Sequence, residues 1–279
     1  MCRLYGLHAT HPTKIHCELL HVQNSFIRQA VQDANGYSNP HGWGIGVVEG
    51  GVVSFKRQVD PAHSSSKYRS AALRTYAQTV IAHLRRATVG EPSLENTHPF
   101  RWRDSFLAHN GHIDHFEEVK PRILDALPPE RRQAIRGSTD SEHFLHLVLT
   151  AYLEDGAGSM QQALQQAVVR LRRWVNEASG EGEGGLGLNT LWVHQGKLAG
   201  TRLDRTLWVR SRDRAMECDV CGERHANPGG EPYRSVEFAS ERLTARGWEP
   251  IPDESVFWVD EDYEVHVEAM VNPKQGGGD

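Results

Sequence analysis

The second residue of this chain is a cysteine, which follows Met1 directly. If Met1 is removed, Cys2 carries a thiol and a free α-amine on one residue, so a nucleophile stands beside a base. An α-amine titrates at roughly 7.7–8.0, and its unprotonated fraction at neutral pH takes up the thiol proton. The position permits covalent catalysis, but taken alone it is weak evidence, because an incidental cysteine near a chain start is the commoner case.

Polar segments that could display further functional groups are expected at strand ends and at a helix start, in the ranges 39–46, 83–90, 96–100, 106–113 and 137–142. An arginine leaving an apolar strand, such as Arg85, can bind a carboxylate through paired hydrogen bonds. The Asn110 amide and the Gly111 N–H can converge on one oxygen, as an oxyanion requires. Asp140 can receive an ammonium group. The plainer interpretations are a surface arginine, an Asn-Gly turn and a charge that complements a helix N-terminus.

Apolar periodicity predicts an α+β chain in which two strand-rich parts flank two long helices. The helices are expected at 138–153 and 160–175, and the spacing of Thr139 and Glu142 matches a capping box. The first strand is expected at 4–7, a single helix at 15–30, and a strand that ends at Ala108. Residues 1–270 are expected to form one domain, and 271–279 a disordered tail.

Composition excludes several classes of protein. A net charge of −5 with a pI near 6.3 argues against a general nucleic-acid binder. Four cysteines in 279 residues do not suggest a disulfide scaffold. No secretory signal is expected, because histidines, Lys14 and Glu18 interrupt the apolar residues of 2–20, and no apolar run approaches the roughly 18 residues of a transmembrane helix. A cytoplasmic protein without membrane or nucleic-acid partners is therefore expected.

Cys218 and Cys221, with His225 four residues further on, look like one zinc knuckle. Four ligands are needed, and no second Cys-x-x-Cys follows. Cys17 or one of His194 and His266 would have to complete the set. A loop with two reduced thiols is the favoured interpretation, so neither a metal nor a cofactor is expected.

The polar segments, in their order, resemble class II glutamine amidotransferases, which are N-terminal-nucleophile hydrolases. The resemblance lies in Met-Cys-Arg-Leu-Tyr-Gly at 1–6, Arg-Arg-Ala-Thr at 85–88, Thr-His-Pro-Phe at 97–100, His-Asn-Gly-His-Ile at 109–113 and Ser-Thr-Asp-Ser-Glu at 138–142. The segments 42–44 and 238–243, with Trp248, look like the stand-alone branch, which includes the γ-glutamyl hydrolase of ergothioneine biosynthesis. The resemblance covers about 2–260 and is weakest at 115–135, 175–190 and 212–232.

This resemblance implies a four-layer αββα sandwich with its active site at one end of two facing sheets. The family's site residues match seven positions of this chain: Cys2 as the nucleophile, Arg85 for the substrate α-carboxylate, Thr88 and His98 in the glutamine pocket, Asn110 and Gly111 as the oxyanion hole, and Asp140 for the substrate α-ammonium group.

The implied activity is cleavage of the γ-amide of glutamine or of a γ-glutamyl compound, through a γ-glutamyl thioester on the N-terminal cysteine. Ammonia or an amine would be released. Two alternatives stay open: a glutaminase subunit that feeds ammonia to a separate synthase, and a catalytically silent γ-glutamyl-binding regulatory or scaffold protein. The expected partners are thus a glutamine-like small molecule and, in the first alternative, an ammonia-accepting synthase.

Overall fold

A computed structural model describes residues 2–180 and 184–271 of the chain. Its strands are β1 (Arg3–Lys14), β2 (Trp43–Glu49), β3 (Val52–Gln58), β4 (Tyr76–Leu84), β5 (Phe100–Trp102), β6 (Ser105–Ile113), β7 (Leu186–His194), β8 (Lys197–Arg202), β9 (Trp208–Arg212), β10 (Ser235–Ala239), β11 (Glu249–Pro250), β12 (Ser255–Val259) and β13 (Val265–Ala269). Its helices are α1 (His16–Leu20), α2 (Phe26–Val31), α3 (Ser66–Arg74), α4 (Phe116–Ala126), α5 (Pro129–Ala134), α6 (Asp140–Leu153) and α7 (Met160–Ser179).

The strands form two antiparallel sheets that pack face to face. One has seven strands in the order β11-β9-β10-β1-β4-β2-β3, and the other has six in the order β13-β12-β8-β7-β6-β5. Leu4, Ile81, Phe106, Leu191 and Phe238 belong to the buried apolar layer between them. Burying the facing apolar sides of both sheets removes this surface from water, which is the main favourable term in folding.

Helices cover the outer face of each sheet. Apolar side chains of α4, α6 and α7 share a core with the six-stranded sheet, and those of α1, α2 and α3 share one with the seven-stranded sheet. The predicted α+β class and the four-layer αββα sandwich are therefore confirmed.

The first strand is longer than expected and lies inside its sheet. β1 runs from Arg3 to Lys14 rather than over 4–7, and it pairs with β4 on one side and β10 on the other. Tyr5 lies opposite Ala239 in β10, and Arg3 lies opposite Leu84 in β4. Cys2 is thus fixed at the start of a strand that is hydrogen-bonded on both sides.

The single helix expected at 15–30 is two short helices, α1 and α2. The N–H groups of His21 and Val22 both donate to the carbonyl of Cys17, which closes α1. Ser25 then has extended backbone angles before α2 begins. Apolar residues from both helices enter one core, so the periodicity correctly marked the buried face but not the break between the helices.

The strand expected to end at Ala108 continues to Ile113. Asn110 pairs with Asn189 and Gly111 with Leu188 of β7, so the Asn-Gly dipeptide is part of a strand and not a turn. A Cβ atom at Gly111 would lie 1.9 Å from the carbonyl oxygen of Gly187. Glycine at this position therefore permits the close approach of β7.

The capping box at the start of α6 is half formed. The Thr139 hydroxyl accepts a bond from the Glu142 N–H at 3.4 Å, as predicted. The Glu142 carboxylate, however, accepts from the N–H groups of Arg136 and Gly137. It therefore organises the turn that leads into α6 as well as the helix start.

Some expectations fall on residues that are not described. Of the predicted tail at 271–279, only residue 271 is described. Residues 181–183 also lie outside the described part of the chain. Among the helices at 2–180 and 184–271, none is both long enough and apolar enough to cross a membrane.

A buried ionic cluster stabilises the seven-stranded sheet and gives a first prediction. Arg210 donates to both carboxylate oxygens of Glu237, and Arg212 donates to one of them. Burial alone would raise the pKa of Glu237, but the two guanidinium groups outweigh it and lower that pKa. Because it would leave Glu237 buried and short of a partner, Arg210→Met is expected to lower the free energy of unfolding by about 3–5 kcal/mol, measured by urea denaturation.

The matched control is Arg234→Met, which removes an exposed pair with Asp262. It is expected to cost at most about 1 kcal/mol. Equal losses in the two variants would contradict the importance of the buried cluster.

Candidate active site

The backbone of Cys2 is held by the side chain of its neighbour. Arg3 donates to the Cys2 carbonyl at 2.8 Å, and its guanidinium pairs with Asp33 at 2.6 Å and Glu241 at 2.8 Å. Arg3 is buried, so these contacts are shielded from water. They fix the point at which the chain enters β1.

The Cys2 thiol contacts the backbone that follows β4. Its Sγ lies 3.3 Å from the Arg86 nitrogen and 3.4 Å from the Arg86 carbonyl oxygen. Burial raises the pKa of the Cys2 thiol, and the hydrogen bond from the Arg86 backbone opposes that rise only in part. The group is therefore a thiol rather than a thiolate at neutral pH, and it needs a base to become a nucleophile.

A cavity of about 580 Å³ opens beside this thiol. Four of the seven predicted site residues line it: Cys2, Thr88, Asn110 and Gly111. Ligand pockets commonly have volumes of roughly 300–1,000 Å³, so there is room for a small molecule. The structure thus brings the predicted nucleophile and the predicted oxyanion-binding residues to one cavity.

Ser240 joins Asn110 to the start of β1. Its hydroxyl oxygen accepts the Leu4 N–H at 2.9 Å and the Asn110 amide at 3.4 Å. The Ser240 N–H in turn donates to the Leu4 carbonyl at 3.0 Å. One side chain therefore sets the position of the Asn110 amide relative to the strand that carries Cys2.

Asp140 lies at the start of α6 behind the cavity wall. One of its carboxylate oxygens accepts the Ile113 N–H at 3.1 Å, and the other lies 3.0 Å from the Ser141 hydroxyl. The same hydroxyl lies 2.8 Å from Nδ1 of His109, whose Nε2 donates to the Gly187 carbonyl at 2.8 Å. Burial lowers the pKa of His109, although Asp140 opposes this. The network fixes the orientation of the Asp140 carboxylate.

Arg85 is buried and supports the loop that follows it. Its guanidinium donates to the carbonyls of Val89, Gly90 and Glu91 at 3.0, 2.8 and 3.2 Å. These bonds use three of the five N–H groups of an arginine side chain. Arg85 is not among the residues that line the cavity, whereas Thr88, at the start of the supported loop, is exposed and does line it.

His98 lies behind the cavity rather than in its wall. Its ring stacks on His83 with centroids 4.0 Å apart, and neither of its ring nitrogens has a hydrogen-bond partner among the described residues. His83 in turn donates to the His109 carbonyl at 3.1 Å. Burial holds the pKa of His98 well below its ordinary value and lowers that of His83 to about 3, so both rings are neutral. His98 is thus not among the residues that line this cavity, and its contacts are those of a packed side chain.

Several residues of the site were given no role by the sequence. Ser240 and Ser141 complete the networks around Asn110 and Asp140, and His41 accepts the Ala87 N–H at 2.8 Å. Ser240 lies in the segment 238–243 that resembles the family, so a signal for the segment existed. Nothing in the linear sequence indicated that its hydroxyl would contact Leu4.

The outer rim of the cavity is charged. His112 lies 3.1 Å from Asp114 and 3.2 Å from Arg205, which itself pairs with Asp204 at 2.6 Å. Glu117 and Glu118 of α4 also line it. A substrate group that extends outward from the Cys2 thiol would therefore meet charged side chains of both signs.

Comparison with known proteins agrees with this arrangement. A family model of class-II glutamine amidotransferases matches residues 1–214. The chain is similar to the probable glutamine amidotransferase DUG3 of Saccharomyces cerevisiae, with 29% identity over 202 residues, which are 64% of this chain and 56% of that protein. It is also similar to a glutamine–fructose-6-phosphate aminotransferase (isomerizing) of Haemophilus ducreyi, with 37% identity over 99 residues, which are 36% of this chain and 15% of that protein. The chain thus spans about half the length of DUG3 and a smaller share of the aminotransferase.

Solved structures share the fold. A glutamine aminotransferase class-II domain protein of Silicibacter pomeroyi superposes with a TM-score of 0.65 at 18% identity, covering 97% of this chain and 100% of that one. Glutamine phosphoribosylpyrophosphate amidotransferase of B. subtilis gives a TM-score of 0.62 at 14% identity, covering 97% of this chain and 49% of that one. Since the family model covers most of the chain and the architecture agrees, the protein belongs to the class-II glutamine amidotransferases.

Proposed function

We propose that this protein is an N-terminal-cysteine amidohydrolase that cleaves the γ-amide of glutamine or of a γ-glutamyl compound. The observation that carries the proposal is that Cys2, Asn110 and Gly111 line one cavity of about 580 Å³. A nucleophile beside two hydrogen-bond donors is the arrangement that acyl transfer requires.

The reaction begins after Met1 is removed. The Cys2 α-amine takes the thiol proton, and the thiolate attacks the γ-carbonyl carbon. The resulting oxyanion accepts hydrogen bonds from the Asn110 amide and the Gly111 N–H. Collapse of this intermediate expels the amine, which takes the proton from the α-ammonium group, and leaves a γ-glutamyl thioester. Water then hydrolyses the thioester, with the α-amine again acting as base.

The substrate's α-amino acid group is a zwitterion, and one fixed ion of each sign recognises it in a single orientation. We assign the α-ammonium group to Asp140, whose carboxylate is oriented by Ile113 and Ser141. We assign the α-carboxylate to Arg85, which lies behind the loop that lines the cavity and whose three carbonyl bonds leave two N–H groups without a partner among the described residues. Thr88 contributes to the pocket wall, and His98 supports it from behind through His83.

The rim favours a γ-glutamyl amide over free glutamine as the substrate. When glutamine is the substrate, the leaving group is ammonia, which needs no binding site beyond the thiol. The cavity, however, is also lined by His112, Asp114 and Arg205. These polar side chains suit a leaving amine that carries hydrogen-bonding or charged groups. The natural amine is thus expected to be polar.

The proposal is tested with 6-diazo-5-oxo-L-norleucine, a reactive glutamine mimic, followed by peptide mass spectrometry. We expect a chain without Met1 that carries one adduct on Cys2. Release of ammonia from glutamine and of the amine from a panel of γ-glutamyl amides is then measured. A processed chain that is not labelled and hydrolyses none of these compounds would refute the proposal in favour of a silent γ-glutamyl-binding protein. Labelling with glutamine turnover only in the presence of a synthase would favour the ammonia-supplying alternative.

The rate should depend on pH through the α-amine. The active form pairs a neutral amine with the Cys2 thiol, whose own pKa is raised by burial. As pH falls through the amine pKa, near 7.7–8.0 in model compounds, kcat/KM is expected to fall about tenfold per pH unit. Measuring kcat/KM between about pH 5.5 and 9.5 checks this prediction, with a chain that retains Met1 as an inactive control. A rate already at its plateau near pH 5.5 would exclude the amine as the base.

A further inference from the structure

Metal-ligating side chains converge on the seven-stranded sheet, outside the cavity that Cys2 lines. The ligand atoms of His16, Cys17, Cys221 and His225 all lie within 4.8 Å of one another. Cys218, three residues before Cys221, is not in this group, although its side chain interacts with the Cys17 thiol. Two free cysteines and two histidines from two distant parts of the chain therefore meet at one point, with a third free cysteine beside them.

Cys218 and Cys221 lie on a tight hairpin between β9 and β10. The Cys218 N–H donates to the Glu223 carbonyl, and the Gly222 N–H donates to the Cys218 carbonyl, both at 2.9 Å. Gly222 has a φ of +71°, which glycine adopts without strain. The hairpin thus carries two thiols with two residues between them, which is the ligand spacing of structural zinc sites.

Backbone pairing joins this hairpin to the end of β1. The Lys14 N–H donates to the His225 carbonyl at 2.8 Å, and Thr13 pairs with Ala226 as an isolated antiparallel bridge. Cys17, in α1, is fully buried beneath the hairpin. The two halves of the cluster are therefore aligned by the fold itself, without any metal.

The orientation of His225 suits metal binding. Its Nε2 lies 3.3 Å from Cys221 Sγ, while its Nδ1 faces the Glu18 carboxylate at 3.8 Å. Metal-bound histidines usually direct the second ring nitrogen at a carboxylate or a carbonyl. Zinc–sulfur and zinc–nitrogen bonds of about 2.3 and 2.0 Å place tetrahedral ligand atoms roughly 3.5–3.8 Å apart. Cys17, Cys221 and His225 therefore need only a small contraction, and the Cys218 side chain must move closer to join them.

A disulfide does not account for the arrangement. It would join two of the three thiols and leave the third beside His225 without a function. A tetrahedral metal site uses all three thiols and the imidazole together.

We propose that Cys17, Cys218, Cys221 and His225 hold one structural Zn²⁺. His16 belongs to the same group, and its ring packs against that of His225 with centroids 4.8 Å apart; we place it beside the site because the Cys-x-x-Cys spacing supplies Cys218 as the fourth ligand. Four protein ligands leave no open coordination position, so the metal fastens the hairpin to β1 and α1 and takes no part in amide cleavage. The proposal departs from the metal-free loop that the sequence favoured.

The test is the zinc content of the purified protein after dialysis against EDTA, measured by inductively coupled plasma mass spectrometry. We expect about one zinc per chain, falling at least tenfold in Cys17→Ser, Cys218→Ser, Cys221→Ser and His225→Ala. His63→Ala, which removes a half-buried histidine that belongs to no group of possible metal ligands among the described residues, is the matched histidine control, and Cys2→Ser is the cysteine control. Both should retain the metal, as should His16→Ala.

Loss of all zinc from the unmodified protein in dialysis would overturn the proposal, and so would equal zinc content in Cys17→Ser and the unmodified chain. Retention in Cys218→Ser with loss in His16→Ala would overturn the assignment of Cys218. If the ligand variants do not fold, cobalt replaces zinc in the unmodified protein. Thiolate-to-cobalt absorption with intense tetrahedral d–d bands is expected, and their absence would overturn the site. Neither measurement depends on amidohydrolase activity.

Discussion

Replacing Cys2 with alanine is expected to reduce the turnover of γ-glutamyl amides by on the order of 10⁴–10⁶, which is the scale of loss when a nucleophile is removed from a covalent hydrolase. Among the described residues that line the cavity, Cys2 is the only cysteine, so no other thiol there can replace the nucleophile. The thioester cannot form, so the adduct with the glutamine mimic should also disappear. Steady-state assays and intact mass spectrometry measure the two effects.

The matched measurement is substrate binding. Asp140 and Arg85 are unchanged in Cys2→Ala, so the affinity for glutamine, measured by calorimetry, should change by no more than about threefold. Cys2→Ser keeps the α-amine but offers a weaker nucleophile, and it should retain slow turnover. Turnover above a tenth of the original rate in Cys2→Ala would show that the reaction does not pass through this thiol.

Asn110→Ala is expected to lower kcat by on the order of 10²–10³ with little change in KM, because the amide is needed only when negative charge develops on the γ-oxygen. The Ser240 hydroxyl, which lies 3.4 Å from the Asn110 amide, orients it in the free enzyme. Asn110→Asp has nearly the same shape but replaces the donor with an acceptor. It should lose at least as much activity.

Asn189 supplies the control for the structural cost. It lies directly opposite Asn110 across β6 and β7, and its amide donates to the carbonyls of Arg205 and Thr206. Asn189→Ala should lower the unfolding free energy without a selective loss of kcat. If both asparagine variants lost activity in proportion to their stability, the oxyanion role of Asn110 would be ruled out.

The sequence predicted the parts of the fold that depend on local pattern. Periodicity located α6 and α7, and the family-like motifs located Cys2, Asn110 and Gly111, which share a cavity. It did not predict that Asn110 lies within a strand, because that depends on the approach of Gly187 from β7. Local turn preference was overridden by pairing with a distant strand.

Contacts between residues far apart in the chain could not be predicted from the sequence either. The bond between Leu4 and Ser240, and the packing of His98 on His83, are set only when both sheets have assembled. For the metal cluster, spacing identified Cys218 and Cys221 and placed Cys17 among the alternatives. The choice among Cys17, His194 and His266 required the pairing of the hairpin with the end of β1.

Because β1 lies between β4 and β10, its place in the sheet cannot be completed until β10 has been translated. Leu4 leaves the ribosome 236 residues before Ser240, its hydrogen-bond partner. The strand that follows Cys2 therefore cannot make this contact until those residues have been translated. A growing chain exposes Cys2 early but has no assembled pocket around it. Such a long-range pairing also tends to make folding slow, so the pocket around Cys2 is complete only after the segment that contains Ser240 has been made.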